Sequence, residues 1–226
     1  VNTTGAGLLV GRHMLAHLAI QLAAAHIPAN ILCTIVSDTL ATCEASSIMG
    51  DDELGPWRVL LAEQYASLSR WRDAAQALQS ITPHAARRIP QLSFAQLCVR
   101  VVELWLHDLP SHVAEAEQAI KRANSAILDE RDNKALVHEL WSYHARVLAI
   151  QHRFMEAAAR YMDLPHADMY AAVYAIISPP SAQRTSMLTR LAQRASAWPF
   201  AQTLHHAAEG RFLRPADLEA LAPFLG

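Results

Sequence analysis

YHARVLAIQHRFMEAAARYMDL, residues 143–164, decides the fold. Leu148 and Ile150 close one apolar helix, and Gln151, His152 and Arg153 make a short polar turn. Phe154, Ala157, Ala158, Tyr161 and Leu164 then recur at spacings of three and four, which marks one face of a second helix. Ala157 and Ala158 are small enough to let a neighbouring helix approach closely, and Phe154 and Tyr161 fill the space beside them. The stretch therefore predicts a helical hairpin of the kind that solenoids stack. It holds no groups arranged for chemistry.

The same pattern occurs twice upstream. Trp57 to Leu68 reads as a helix, Ser69 and Arg70 as a turn, and Trp71 to Ile81 as a second helix stopped by Pro83. Leu92 to His107, a turn at Asp108 to Ser111 and Val113 to Leu128 make the next pair. Asp129 to Asn133 is a polar break, and Leu136 to Ile150 opens the third. Trp71, Val113 and Phe154 hold equivalent positions, 42 and 41 residues apart. Ala74, Ala116 and Ala157 align in that register, as do Leu78, Ile120 and Tyr161. The period exceeds the roughly 34 residues of a tetratricopeptide unit and falls in the helical-repeat range. Ala75 corresponds to Glu117, so the second pair is expected to pack less tightly or to expose that edge.

The flanks read as helix too. Leu8 to Ala25 places Leu15, Leu18 and Leu22 on one face; Pro28 breaks it, and Asn30 is a candidate cap for a helix from Ile31 to Leu40. Ala45 to Gly55 is a polar connector, and Pro56 sits where a helix begins. After Leu164 come Asp168 to Ile177, a break at Pro179-Pro180 with Ser181 as a cap, and an amphipathic run from Ser186 to Arg194. Trp198 to Ala208 follows, ended by Gly210, and a last helix runs from Arg214-Pro215 through Phe224. No alternating strand pattern of any length is present. The expected fold is an all-α, right-handed helical-repeat solenoid of antiparallel helix pairs, resembling tetratricopeptide or HEAT arrays. Trp71, Ala74, Leu78, Phe154, Ala157 and Tyr161 are expected to be buried between units.

Composition agrees. The 226 residues are 52% hydrophobic and 18% charged with seven Gly, a profile of a folded, helix-rich protein rather than a disordered one. A net charge of −2 offers no electrostatic case for nucleic acid or an anionic membrane. Cys33, Cys43 and Cys98 form no CxxC pair, which suits a reducing compartment. Met14 to Ala25 is apolar like the core of a signal peptide, but Arg12, His13 and His17 are misplaced for one. No apolar run reaches the roughly 18 residues of a membrane span.

Motifs for chemistry fail one by one. Gly5, Gly7 and Gly11 lack the Lys-Ser or Lys-Thr pair of a phosphate loop. His138-Glu139-Leu140-Trp141-Ser142 has Ser where a zinc-protease helix needs its second His. His138 and His144 are six apart and diverge, as do adjacent His205 and His206. There is no GxSxG. No catalytic, metal or cofactor residue is predicted; convergence of distant residues into a hydrolase is the alternative. The candidate functional residues are instead for protein interaction. Arg70, Arg72 and Arg153, with Arg160, are candidates for a basic strip, the alternative being ordinary helix-end charge. Leu218, Leu221 and Phe224 form an apolar end with little to pack against, the mark of an interaction site.

ASLSRWRDAAQALQSI (66–81), YHARVLAIQHRFMEAAARYMDL (143–164) and the tail from ISPPSAQRTSMLTRLAQ (177–193) through GRFLRPADLEALAPFL (210–225) resemble the subunit-four family of the COP9 signalosome. The segment with RVL, a basic turn, then an aromatic residue and EAAARY is the most specific. A fainter likeness extends back through LLVGRHML, so it covers nearly the whole chain. The proteasome-lid subunit of the same ancestry is the close alternative. The resemblance implies a helical-repeat arm over 1–165 and the helical start of a PCI domain over 166–226. It implies a non-catalytic scaffold, with no cofactor, in a complex that removes the ubiquitin-like protein Nedd8 from cullins through a zinc metalloprotease in another subunit. Implied partners are the other signalosome subunits and, through the assembled complex, cullin–RING ligase, which the family helps to sense; neither nucleic acid nor membrane is among them. Implied locations are cytoplasm and nucleus. Val1 matches the family's interior and Gly226 falls before its winged helix, so the first repeats and that winged helix are expected to lie outside this chain. A free peptide-binding adaptor is the remaining class. Its carboxylate clamp of Lys, Arg and Asn at repeat spacing is not seen: Glu63, Glu103 or Leu104, and Arg146 alternate in charge.

Overall fold

The computed structural model describes residues 14–224 except 16, 20, 23, 26, 47–49, 51–52, 88, 90–91 and 129–132. Every regular element among them is helical: α1 (described residues 14–15, 17–19, 21–22 and 24), α2 (Ala29–Ser46), α3 (Gly55–Ser67), α4 (Trp71–Gln79), α5 (Pro83–Ala86), α6 (Phe94–Leu106) and α7 (Val113–Ile127), then α8 (Lys134–Ile150), α9 (Phe154–Met162), α10 (Asp168–Ile177), α11 (Ala182–Ala192), α12 (Ala201–Ala208), α13 (Pro215–Glu219) and a 3-10 turn, Ala222–Phe224. The fold is the expected all-α helical-repeat type. The chain divides into two compact units, Val1–Asp132 and Asn133–Gly226.

The turns of the first and third hairpins share one geometry. Ser69 and His152 both adopt left-handed backbone, with φ of 58° and 60°. In each the left-handed residue's N–H reaches the carbonyl three back, Ser69 to Ala66 and His152 to Ala149, both at 3.0 Å. The following N–H reaches five back, Arg70 to Tyr65 and Arg153 to Leu148, both at 2.9 Å. This double bond closes the last helical carbonyls and turns the chain without a glycine. Gly210, at φ 73°, repeats the arrangement after α12, where Arg211 N–H meets the His206 carbonyl.

In the first unit, α2 packs on α3, α3 on α4, α4 on α6 and α6 on α7. Leu32, Cys33, Val36, Leu40 and Cys43 of α2 meet Trp57, Leu60 and Leu61 of α3 in one core. Ala19 lies in that core with Leu15 and Leu22 beside it, whereas Leu18 is 42% exposed. The expected Leu15–Leu18–Leu22 face is thus Leu15–Ala19–Leu22, because Leu18 lies about 60° round the helix from Leu15. Leu8 to Val10, the start of the expected first helix, lie outside the described residues. Asn30 is not a cap: α2 begins at Ala29, and the Pro28 carbonyl accepts from Ile31 and Leu32 N–H. The helix also runs on to Ser46 rather than Leu40, since Cys43 is a core residue and the Thr39 and Thr42 hydroxyls turn back onto the Ile35 and Asp38 carbonyls.

Pro83 does more than stop α4. It opens α5 behind Thr82, whose hydroxyl accepts from Ala85 N–H. Ser93 and Gln96 then form a reciprocal capping box for α6. That helix is buried on nearly all sides, from Ala95 to Leu106. Arg122 of α7 donates to the carbonyls of Gln79, the last residue of α4, and Ile81 just beyond it, and lies over the Phe94 ring. Ala116, Ala119 and Ala123 carry the buried face of α7, and Glu117 is half-buried at its edge.

In the second unit, α9 lies against both α8 and α10. Ala157 and Ala158 are fully buried between them, with Ala171, Ala172 and Val173 of α10 equally closed. Asn133 and Ser181 cap α8 and α11. The cap at Ser181 starts α11 at Ala182, four residues ahead of the amphipathic run beginning at Ser186. Arg184 of α11 donates to the Ala175 and Ile176 carbonyls at the end of α10. Trp198 stays outside α12 because it precedes Pro199, which disfavours helical backbone.

Of the residues expected to be buried, Ala74, Leu78, Ala157 and Tyr161 are; Trp71 and Phe154 are half-buried. Both are first residues of their helices. Trp71 stacks on His107 at 4.3 Å, and Phe154 faces Tyr174 at 6.4 Å.

Candidate interaction surfaces

The turn geometry places Arg70 and Arg153 at equivalent points, each just ahead of a second helix, and each meets an acid three residues on. Arg70 Nε lies 2.7 Å from Asp73 Oδ2, with the guanidinium 4.4 Å from the Tyr65 ring. Arg153 grips Glu156 with Nε at 2.8 Å and Nη2 at 2.5 Å. Hydrogen bonding from Arg153, then the charges of Arg153, His144 and Arg160, hold the Glu156 carboxyl below its ordinary range. Asp73 and Glu156 also lie in the first turn of a helix, where its dipole favours a carboxylate. These arginines are exposed but locally engaged. Arg72 is exposed on α4, and Arg160 reaches Asp163 at 3.9 Å. Arg70 and Arg72 belong to the first unit, Arg153 and Arg160 to the second.

The apolar carboxyl-terminal residues separate sharply. Leu218 is 47% exposed, but Leu221 is fully buried. Phe224 meets Phe200 at 5.2 Å and Tyr170 at 6.2 Å. The expectation that Leu221 and Phe224 lack neighbours is therefore corrected. The chain turns after α13 and folds both side chains back onto α10 and the Phe200 region. Phe212, in the extended segment before α13, is the fully exposed large apolar side chain nearby. Nothing in the spacing of GRFLRP set it apart from Leu213, which is half-buried.

Sequence reading also missed an aromatic cluster. Tyr161 and Tyr174 lie parallel, with ring centroids 5.4 Å apart and planes 2° from one another. Tyr170 stacks on Tyr161 at 5.5 Å. Burial, the largest influence, pushes both the Tyr161 and Tyr174 hydroxyls up, while Arg146 acts in the opposite sense on each. Arg146 is exposed on α8. The available signal was the i, i+4 spacing of Tyr170 and Tyr174.

Elsewhere, burial pushes the Cys98 thiol up to about 11 despite the nearby Arg122 charge. Cys98 lies with Arg122, Phe94 and Leu78 along a narrow crevice. No cluster of three or more His, Cys, Asp or Glu able to hold a metal occurs among the described residues. Among them, too, no helix is long and apolar enough to cross a membrane.

These features define a class: an all-α helical-repeat protein. Within that class the chain is similar to COP9 signalosome subunit four. It is 30% identical over 199 residues to COP9 signalosome complex subunit 4 of Caenorhabditis elegans, covering 80% of this chain and 48% of that protein. It is 27% identical over 155 residues to COP9 signalosome complex subunit 4 of Arabidopsis thaliana, covering 68% of this chain and 38% of that one. The chain therefore spans less than half the length of these relatives. No family model matches it.

Proposed function

We propose that this chain is part of a non-catalytic scaffold subunit of a signalosome. The likeness to two proteins named as subunit 4 of that complex carries the reading. The structure supports it physically: repeated helix pairs offer extended faces, and the exposed residues are helix-end charges and apolar side chains. In this role the subunit supports removal of Nedd8 from cullins by a metalloprotease held in another subunit, and helps to sense bound cullin–RING ligase. Residues 1–165 act as the repeat arm and 166–226 as the start of a PCI domain. Arg70, Arg72 and Arg153 face partners along the arm; Leu218 serves at the carboxyl-terminal end. The protein works in cytoplasm and nucleus.

Depletion of the full-length protein tests this. Cullin–Nedd8 conjugates should accumulate and fall again on re-expression, while the purified chain alone leaves them intact. Cleavage by the purified chain would refute the non-catalytic role, and unchanged conjugates after depletion would refute the signalosome role.

A further inference from the structure

We propose that Phe212 is a pre-positioned anchor that inserts into an apolar pocket, rimmed by Asp and Glu side chains, on a partner protein.

Phe212 is fully exposed, so its ring is not used in packing among the described residues. The backbone that carries it is nonetheless held on both sides. Ahead of it, Gly210 turns the chain with left-handed backbone, and Arg211 N–H reaches the His206 carbonyl at 2.9 Å. Behind it, Arg214 N–H meets Asp217 Oδ2 at 2.8 Å, which fixes the entry to α13. Between these two bonds Leu213 packs against the core of the second unit. Extended backbone sends successive side chains to opposite sides, so an inward Leu213 turns Phe212 and Arg214 outward, and both are exposed. A large ring displayed on fixed backbone has little freedom left to lose on docking, and aromatic side chains of this kind dominate binding energy at interfaces.

Charge defines the surface that receives it. Residues 169–216 include five arginines and one acid, Glu209. Arg184 donates to backbone carbonyls, Arg194 lies 3.7 Å from Asp168, and Arg211 lies 2.6 Å from Glu209. Arg190 and Arg214 meet no carboxylate among the described residues. An apolar pocket with acids on its rim satisfies the ring and this surplus positive charge together. A bilayer fits less well, because one ring without a second signal gives only marginal membrane binding. Single-stranded nucleic acid needs successive stacking rings, and the other exposed aromatic among the described residues, Tyr170, is already stacked on Tyr161. The inference rests on the scaffold reading only for the partner being another subunit of the same complex.

The test places photoreactive benzoylphenylalanine at position 212 of the full-length protein in its affinity-purified complex, with the same group in place of the exposed Gln202 of α12 as control. Illumination should cross-link position 212 to one other subunit, at an apolar depression bearing Asp or Glu, and position 202 should not reach that site. The subunit so identified, once purified, should bind Phe212→Ala about tenfold or more weakly, bind Phe212→Trp nearly as well as the parent, and bind Arg214→Gln less well at low salt only. Phe212→Ala should leave the thermal midpoint of the chain unchanged, and a lowered midpoint overturns the proposal by showing that the ring packs within its own chain. So does a cross-link confined to the chain itself, a cross-link to lipid or nucleic acid, or equal affinity of the parent and Phe212→Ala. Any of these with signalosome subunits still co-purifying refutes the anchor alone. A cross-link to a pocket of this chemistry on a protein outside the complex, with loss of binding in Phe212→Ala, supports the anchor and refutes the scaffold reading.

Discussion

Leu218 and Leu221 lie three residues apart, and replacing each in turn by Ala separates an exposed end from a docked one. Leu221 is fully buried, in the core with Phe200, Leu204 and Tyr174 and with Phe224 packed against it. Burying a Leu side chain stabilises by roughly 1.5–3 kcal/mol, and the cavity left by truncation adds to the loss. The short α13 and the turn after it are able to relax, which holds the Leu221→Ala cost near the lower end of the usual range, about 2–3 kcal/mol. Leu218 is 47% exposed, so Leu218→Ala should stay within about 0.5 kcal/mol of the parent. Urea unfolding measures both. Hydrogen exchange over 211–224 shows whether the Leu221→Ala loss is local, since lost packing there would detach this segment before unfolding the rest. Equal costs at the two positions, or a Leu221→Ala cost below about 0.5 kcal/mol, would refute the docked end. The pair also separates stability from assembly: Leu218→Asp should keep the fold and weaken partner binding.

Ser69→Gly and His152→Gly should each stabilise by roughly 0.5–1 kcal/mol, because the left-handed backbone penalty of a side chain exceeds glycine's extra unfolded-state entropy; thermal unfolding reads the sign. Arg122→Met should cost about 2–3 kcal/mol, since it leaves the Gln79 and Ile81 carbonyls without their charged donor; urea unfolding gives the value. The Cys98 thiol, pushed up to about 11, stays protonated in the fold while the unfolded thiol ionises near its ordinary value. Its contribution is therefore fully present below about pH 9 and is lost as pH rises toward 11, by about 2–3 kcal/mol in all. Stability curves of the parent and Cys98→Ala should diverge in that window, and native Cys98 should resist alkylation at pH 8.

The hairpins were legible because their signals are local. Alanine pairs, turn residues and period-3.6 spacing lie within one stretch, and the structure places α9 and α10 where that stretch and its successor predict. Boundaries failed where a cap competed with a proline. Asn30 looked like a cap, but Pro28 had already supplied the first free carbonyl; Trp198 looked helical, but Pro199 follows it. The candidate surfaces were less legible. Arg70 and Arg153 stood out as charge, and the register of Trp71 with Phe154 aligns them, yet the left-handed turn ahead of each is closed by backbone bonds that spacing does not reveal. Leu221 read as an unsupported residue because the core it joins, with Phe200 and Tyr174, is distant in sequence. The tyrosine cluster depends on α9 and α10 meeting, which periodicity within each helix does not encode.

Affinity purification of the tagged full-length protein with quantitative mass spectrometry decides whether it belongs to a signalosome. The remaining signalosome subunits should be recovered in amounts comparable to the bait, with proteasome-lid subunits at background. Recovery of proteasome-lid subunits in their place, or of the bait without either complex, would contradict signalosome membership.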